Sequence, residues 1–531
     1  RATMESVSPT PHTPDSEIAR LLGEMTLEQK AGQVLMLGFD GITLTDELRS
    51  VIADLRPGGL VLFERNATTT PQDLAKLTSD AQAAARVGGD PTLLISIDQE
   101  GGAVTRLRAS RGFAEFPSAM AIAATGDAAD AGRVGAAIAD ELLAVGINMD
   151  LAPDLDVNSN PANPVIGTRS FGSDPDRVAE LGAAFIEGMQ ARGVMAVGKH
   201  FPGHGDTAVD SHVGLPVVAH ERPRLEAVEF VPFRRAMACG VAGIMSAHIA
   251  FPAIEPAPGL PATLSARALT GLLREEMGFD GLIFTDSLIM GALVNEGRSI
   301  PQASAAALMA GADVLLFNNG SALHRMAHAE VVAQVRAGRI PEARLDAAVR
   351  RILVAKQRYG LLAGARPAAP EQAGAPERKA LAREIAAKSI TVVRDGAGLL
   401  PARDPAGLLV VETPQAAGLA RALGAASVSI GAQPRAGDAR LVMEAARGRT
   451  ILVATSDILK NPQQAELVRN LRAAGLPVIV VAVRLPYDLL HLGDIPTFVA
   501  TYQASEDAFA ALADVVLGRR PATGTLPVAM G

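Results

Sequence analysis

The densest group of residues that could carry out chemistry lies in KHFPGHGDTAVDSH, residues 199–212. This segment holds three of the nine histidines, together with Lys199, Asp206 and Asp210. Neutral imidazoles and carboxylates bind zinc or iron, so one interpretation is a metal site, although the helical HEXXH spacing is missing. A second interpretation is a dinucleotide loop, because GHGDTA fits G-x-G-x-x-A. That motif requires a helix to begin at the glycines.

A catalytic loop is the third interpretation and the one that we favour. Asp210 and His212 are two residues apart and can meet if the loop curls. A carboxylate that accepts one imidazole N–H selects the tautomer and stabilises the charged form of the ring. The other ring nitrogen can then act as a general acid and base near neutral pH.

Short apolar runs rich in β-branched residues recur through the first two thirds of the chain, with alanine-rich amphipathic segments between them. Runs of this length are typical of parallel strands that are covered on both faces. Eight such strands alternating with helices predict a (β/α)8 TIM-type barrel, with a doubly wound sheet as the alternative. The eight runs are 34–39, 59–63, 92–97, 147–151, 194–201, 242–249, 281–286 and 312–317.

Polar residues follow six of the predicted strands, at the end where barrel enzymes carry their active sites. Solvation alone is a poor explanation for a polar residue after each of six apolar runs. The sequence therefore predicts an active site on this rim. The residues are Asp98, Asp150, Lys199, His200, His248, Asp286 and Asn318.

The chain divides into two large predicted domains. Residues 1–16 are polar and rich in Pro, Thr and Ser, which indicates a flexible leader, either the remnant of signal-peptide cleavage or an artificial extension. The barrel is expected over 17–362, and the Pro/Ala/Gly-rich residues 363–377 form a linker. A second βα series predicts a smaller α/β sandwich domain over 378–531, with strands at 390–395, 408–412, 427–430, 450–456, 478–483 and 497–502.

Composition excludes several classes of protein. The formal net charge of the 531 residues is −8, which argues against nucleic acid or an anionic membrane as the main partner. No apolar run is long enough to span a bilayer. The single cysteine, Cys239, excludes an internal disulfide and any multi-cysteine metal site. Tryptophan is absent, whereas long polysaccharide grooves use flat aromatic platforms.

Four segments together resemble glycoside hydrolase family 3, in its β-N-acetylglucosaminidase branch with an added α/β domain. They are KHFPGHGDT–DSH, IDQEGGAVTR (97–106), NPVIGTRSFG (163–172) and FTDSLIMGAL (284–293). The resemblance implies that Asp286 is the nucleophile and that His212, with Asp210 as its partner, is the acid/base. It places the family's sugar-binding positions at Asp98, Arg106, Arg169, Lys199 and His200.

The function implied is an exo-acting, retaining β-N-acetylglucosaminidase that takes small fragments of peptidoglycan or chitin. A phosphorylase or a broader β-glucosidase of the same family is an alternative, and a non-catalytic sugar- or metal-binding wall protein is another. No cofactor and no metal are expected. We expect a monomer whose partner is a small carbohydrate, located outside the cell or in its envelope.

Overall fold

A barrel of eight parallel strands forms the first domain. The computed structural model describes residues 14–210, 214–290, 293 and 298–530. Each of the first six strands pairs with the next along the chain, and the first pairs with the eighth. A bridge between Phe284 and Val314 joins the seventh strand to the eighth and nearly closes the sheet. Strands β1 to β8 are Leu35–Gly38, Gly59–Leu62, Leu94–Ile97, Met149–Asp150, Met195–Phe201, Gly243–Ser246, Leu282–Phe284 and Leu315–Phe317.

Helices alternate with these strands and cover the outside of the barrel. Helices α1 to α12 are Pro14–Glu24, Leu27–Gln33, Asp46–Leu55, Pro71–Val87, Ala119–Ala124, Ala128–Ala144, Pro175–Ala191, Arg222–Ala227, Phe230–Ala238, Ile300–Ala310, Ser321–Arg336 and Glu342–Arg358. A π-helix spans Arg267–Glu276. Short 3-10 turns lie at Glu64–Asn66, Ala109–Arg111, Gly167–Arg169, Ala262–Leu264, Leu361–Ala363 and Pro370–Gln372.

Local sequence explains where many of these elements begin. Thr45 and Thr70 accept hydrogen bonds from the backbone N–H groups of Leu48 and Asp73, and thereby cap helices α3 and α4. Every residue of β1, β2 and β3 is buried, because side chains fill the barrel interior and helices cover its exterior.

The second domain is a six-stranded sheet with helices on both faces. Its strand order is β11-β10-β12-β13-β14-β9, and all neighbours are parallel except β14 and β9. Strands β9 to β14 are Thr391–Asp395, Leu408–Glu412, Ala426–Ser429, Thr450–Thr455, Val478–Ala482 and Thr497–Ala500. Helices α13 to α17 are Pro376–Ser389, Leu419–Leu423, Asp438–Ala446, Gln463–Ala473 and Glu506–Val516, with 3-10 turns at Pro405–Gly407, Pro414–Ala416 and Pro486–His491.

The two domains pack closely on each other. Helix α5 of the barrel places Met120 and Ala124 in an apolar cluster of the second domain. The backbone N–H of Thr525 donates to the carbonyl of Ala124 at 2.8 Å. The segment predicted as a linker also lies against the barrel, since the N–H of Gly374 donates to the Glu141 carboxylate at 2.9 Å.

The structure confirms the predicted fold class, a TIM-type barrel followed by a smaller α/β domain. Each predicted strand overlaps an observed one. Helix α1 begins at Pro14, inside the segment 1–16 predicted as a leader, and residues 1–13 lie outside the described residues. Within the described part of the chain, no helix combines the length and the apolarity that crossing a bilayer requires.

Candidate active site

A cavity of about 250 Å³ opens at the C-terminal ends of the barrel strands. Six of the eight site residues predicted from the sequence line it together, namely Asp98, Arg106, Arg169, Lys199, His200 and Asp286. His204 and Asn318 are further polar residues of the wall, and the apolar part is made by Phe63, Val104, Leu151, Val165, Met245, Met290 and Leu316. The cavity thus combines charged and polar groups with an apolar wall.

A network of opposite charges forms one side of the cavity. Lys199 at the end of β5 donates to Asp98 at 2.8 Å and contacts Glu100 at 2.7 Å. Arg169 binds both oxygens of Glu100, at 2.8 and 2.9 Å. Burial alone would raise the pKa of Glu100, but Arg169 and Lys199 hold it well below its usual value. The three groups are therefore charged at neutral pH and fix one another in place.

Asp156 orients two histidines. Its carboxylate accepts the backbone N–H groups of His200 and His204, at 3.2 and 2.6 Å, and contacts Nδ1 of His200 at 2.7 Å. Burial lowers the pKa of each histidine to about 4. His200 is therefore neutral at pH 7, donates Nδ1–H to Asp156 and leaves Nε2 as an acceptor.

Asp286 follows β7 and accepts the N–H of Ser287 at 2.6 Å. Burial would raise the pKa of Asp286, but His248 and the Ser287 N–H bring it below its usual value, with a smaller effect from Lys199. His248 is held by Thr263 and by the carbonyl of Ser287, each at 2.8 Å. Asp286 is an ionised carboxylate at the cavity wall and can act as a nucleophile.

Two polar atoms of the cavity wall could form hydrogen bonds with a ligand. Arg106 Nε and Asn318 Oδ1 are buried and make no hydrogen bond to any residue that the structure describes. A buried polar group without a partner is costly, so a bound molecule with hydroxyl or amide groups would be stabilised by pairing with them. Asn318 was noted in the sequence as a strand-end residue without a role.

The loop after β5 is anchored to the loop after β4. The side chain of Asn163 donates to the carbonyls of His204 and Gly205, at 2.8 and 3.1 Å. Asp206 pairs with His220, a contact that sequence reasoning missed. Asp210 is half-buried and does not line the cavity, and His212 lies outside the described residues. The dyad of Asp210 and His212 thus stays a prediction.

The loop after β5 does not have the structure of a dinucleotide motif, but carboxylates and a histidine meet beside it. Residues 203–210 form turns, so no helix begins at the glycines as a dinucleotide motif requires. Asp154, Asp156 and His200 place possible ligand atoms within 4.8 Å of one another. Asp154 Oδ1 accepts the N–H of Asp156 at 2.9 Å, and Asp156 binds His200. These groups could hold a cation, but in this arrangement they serve to orient His200.

Sequence reasoning also missed Glu100 and Asp156 as parts of the site. Glu100 lies within the quoted segment IDQEGGAVTR, so its motif was a signal that could have identified it. Asp156 lies several residues after the short strand β4, so the pattern of strand-end residues did not mark it. Only its contacts with His200 and His204 show its role.

Comparisons with known proteins show which families and folds this chain is similar to. The family described as "Glycosyl hydrolase family 3 N terminal domain" matches residues 26–355. Beta-hexosaminidase A of Pseudoalteromonas piscicida is 31% identical, over 95% of this chain and 97% of its own length. The solved structure of a family 3 beta-N-acetylglucosaminidase from Paenibacillus sp. is 38% identical, with a TM-score of 0.89 over 95% of this chain and 99% of that one. A beta-glucoside phosphorylase shares the fold at 24% identity, with a TM-score of 0.84 over 99% of this chain and 98% of that one.

Proposed function

Because this chain belongs to glycosyl hydrolase family 3, and is thus a glycoside hydrolase, we propose that it releases terminal β-linked N-acetylglucosamine from small peptidoglycan- or chitin-derived fragments. The names of its relatives, a beta-hexosaminidase and a beta-N-acetylglucosaminidase, support this substrate class. The observation that carries the proposal is that one cavity is lined both by an ionised Asp286 and by the sugar-binding candidates.

Asp286 is the proposed nucleophile of a two-step, retaining reaction. Its carboxylate attacks the anomeric carbon as the glycosidic bond breaks, which forms a glycosyl-enzyme, and water then releases the sugar with the original configuration. The lowered pKa of Asp286 supports this role, because only the carboxylate is a nucleophile. A covalent adduct on Asp286, detected by mass spectrometry, tests this step against attack by the substrate's own acetamido group.

His212, oriented by Asp210, is the proposed general acid and base. It protonates the leaving oxygen in the first step and takes a proton from water in the second. His212→Ala should therefore slow substrates with poor leaving groups far more than activated aryl glycosides. Equal losses on both kinds of substrate would contradict an acid role for His212.

Asp98, Arg106, Arg169, Lys199 and His200 are the proposed sugar-binding groups. Asp98 can accept from neighbouring hydroxyls, and the neutral His200 offers an acceptor nitrogen. Arg169 is already paired with Glu100, so its contribution is to shape and charge the wall as much as to donate to the sugar. A small cavity and a chain without tryptophan support removal of one sugar from an end, since neither suits a long polymer.

A panel of aryl glycosides, assayed with and without phosphate, tests the proposed function. We expect the N-acetylglucosaminide to be cleaved in preference to the glucoside, with free sugar as product in both conditions. Sugar 1-phosphate as the main product would identify a phosphorylase. Preference for the glucoside would contradict the proposed substrate.

A further inference from the structure

The connection between β4 and α7, residues 151–174, carries three groups of the active site but little regular structure. Asp154, Asp156 and Arg169 all lie on it, and the short turn Gly167–Arg169 is its one helical element. Connections of this length do not hold one conformation by themselves, so other parts of the molecule must support it.

The second domain supplies that support at several points. The carbonyl of Pro527 accepts the N–H of Ser173 at 3.3 Å. Leu485 packs on Gly167, where an added Cβ would lie 3.0 Å from Leu485 Cδ2. Tyr487 contacts Asn158. Of these contacts, the one made by Tyr487 lies nearest in the chain to the carboxylate that orients the histidines.

Tyr487 and Asn158 form a buried, reciprocal pair across the domain boundary. The side-chain amide of Asn158 donates to the Tyr487 hydroxyl at 3.0 Å, and this hydroxyl donates to the carbonyl of Asn158 at 3.4 Å. The two residues are 4% and 1% exposed. The N–H of Asn158 also donates to the carbonyl of Gly172 at 2.9 Å, so Asn158 ties its own part of the connection to the C-terminal end.

A short series of contacts links Asn158 to the two histidines. Asp156 is two residues away and holds His200 and His204 through its carboxylate. The intervening Val157 packs against Gly205 of the β5 loop so tightly that an added Cβ on Gly205 would lie 1.7 Å from the Val157 carbonyl oxygen. A shift of Asn158 therefore moves the Asp156 carboxylate and the histidine loop together.

We propose that Tyr487 is a positioning residue, through which the second domain sets the alignment of His200 and His204 in the active site of the barrel. The inference rests on the proposed function, because it assumes that these histidines line the sugar-binding cavity. Tyr487 itself touches neither the cavity nor the reacting atoms. Its hydroxyl acts through Asn158 and Asp156.

Tyr487→Phe tests the proposal, because it removes the hydroxyl and keeps the ring. We expect KM for an aryl N-acetylglucosaminide, and Ki for free N-acetylglucosamine, to rise by about tenfold, with a smaller effect on kcat. A purely structural defect would lower the folded fraction and hence kcat, and would leave KM and Ki unchanged. The matched control is Tyr502→Phe, which also loses a buried hydroxyl hydrogen bond, at 2.7 Å to Thr391, but wholly within the second domain.

Asn158→Ala tests the same link from the barrel side and serves if the tyrosine variant does not fold. The double variant should show about the same Ki as the more impaired single variant, because both substitutions break one connection. A Ki within twofold of the wild type in Tyr487→Phe would overturn the proposal, as would an equal rise in Tyr502→Phe. If the wild type cleaves an aryl glucoside instead, the proposed function fails. The ratio of the variant's Ki to that of the wild type, measured with glucose, then still tests the role of Tyr487.

Discussion

Two buried clusters of charge lie at opposite ends of the same barrel. The cluster at the C-terminal ends of the strands joins Glu100 to Arg169 and Lys199 beside the cavity. The cluster at the other end surrounds Asp313, two residues before β8 begins. Arg274 of the π-helix donates to Asp313 at 2.7 Å, and Arg351 of α12 contacts it at 3.1 Å.

The clusters differ in whether they leave polar groups that a ligand could bind. Asp313 is fully buried, and one of its oxygens also accepts the N–H of Ile283 at 3.0 Å, so the protein satisfies this carboxylate itself. At the cavity, Asp98 keeps 18% exposure, and Arg106 Nε and Asn318 Oδ1 find no partner in the described part of the chain. Buried charges therefore stabilise the fold at one end of the barrel, whereas at the other end they are available to bind a ligand.

Asp286→Asn should have the largest effect, and it should change activity rather than stability. We expect kcat on an aryl N-acetylglucosaminide to fall by about 10⁴-fold, with little change in thermal stability, because the nucleophile is lost and its space is kept. Asp280→Asn, at the exposed opposite end of β7, is the matched control and should be active. A near-normal kcat in the first variant would refute the nucleophile assignment.

Asp313→Asn should have the converse effect. Removing one charge leaves the buried Arg274 and its neighbours uncompensated, and the free energy of unfolding should drop by about 3–5 kcal/mol. Denaturant unfolding measures this loss, while kcat per folded molecule should stay within twofold of the wild type. A stable but inactive Asp313→Asn variant would contradict a purely structural role for the cluster around Asp313.

Lys356 extends the comparison to a buried amine that contacts no carboxylate of the residues that the structure describes. It is fully buried beside β1, donates to Gln33 at 3.3 Å, and burial lowers its pKa to about 7 from 10.5. Between these pH values the unfolded chain binds more protons than the folded one. The free energy of unfolding should therefore rise with pH, by up to about 1.4 kcal/mol per unit.

Lys356→Met should remove this rise and be more stable than the wild type at pH 6. Unfolding by denaturant at pH 6 to 10 measures both effects. Lys460→Met, at an exposed position, should keep the wild-type slope. An unchanged slope in Lys356→Met would mean that the lysine is solvated in the folded state.

Asn318→Ala should have the smallest effect. Loss of one hydrogen bond to the sugar should raise KM by about fivefold, or about 1 kcal/mol, without a change in stability, because Oδ1 has no described partner to lose. The exposed neighbour Asn319→Ala is the control. An unfolding penalty with normal KM would place Asn318 among the structural groups.

Much of the barrel could be predicted because strands buried on both faces must be apolar along their whole length, as Val61 and Ile95 illustrate. The strand-end residues of the cavity followed from the same pattern. That His248 lowers the pKa of Asp286 could not be predicted, because His248 lies just beyond β6 and only its contacts with Thr263 and the Ser287 carbonyl hold it near Asp286.

The sequence by itself determined the two α/β domains and the rim that carries Asp98, Lys199 and Asp286, since burial and strand order are encoded in local composition. Tertiary structure alone decided how these groups are paired. Glu100 meets Arg169 across 69 positions, and Tyr487 meets Asn158 across 329. Hydrogen-bond partners depend on how the loops of separate elements pack, and hydrophobic periodicity carries no record of that packing.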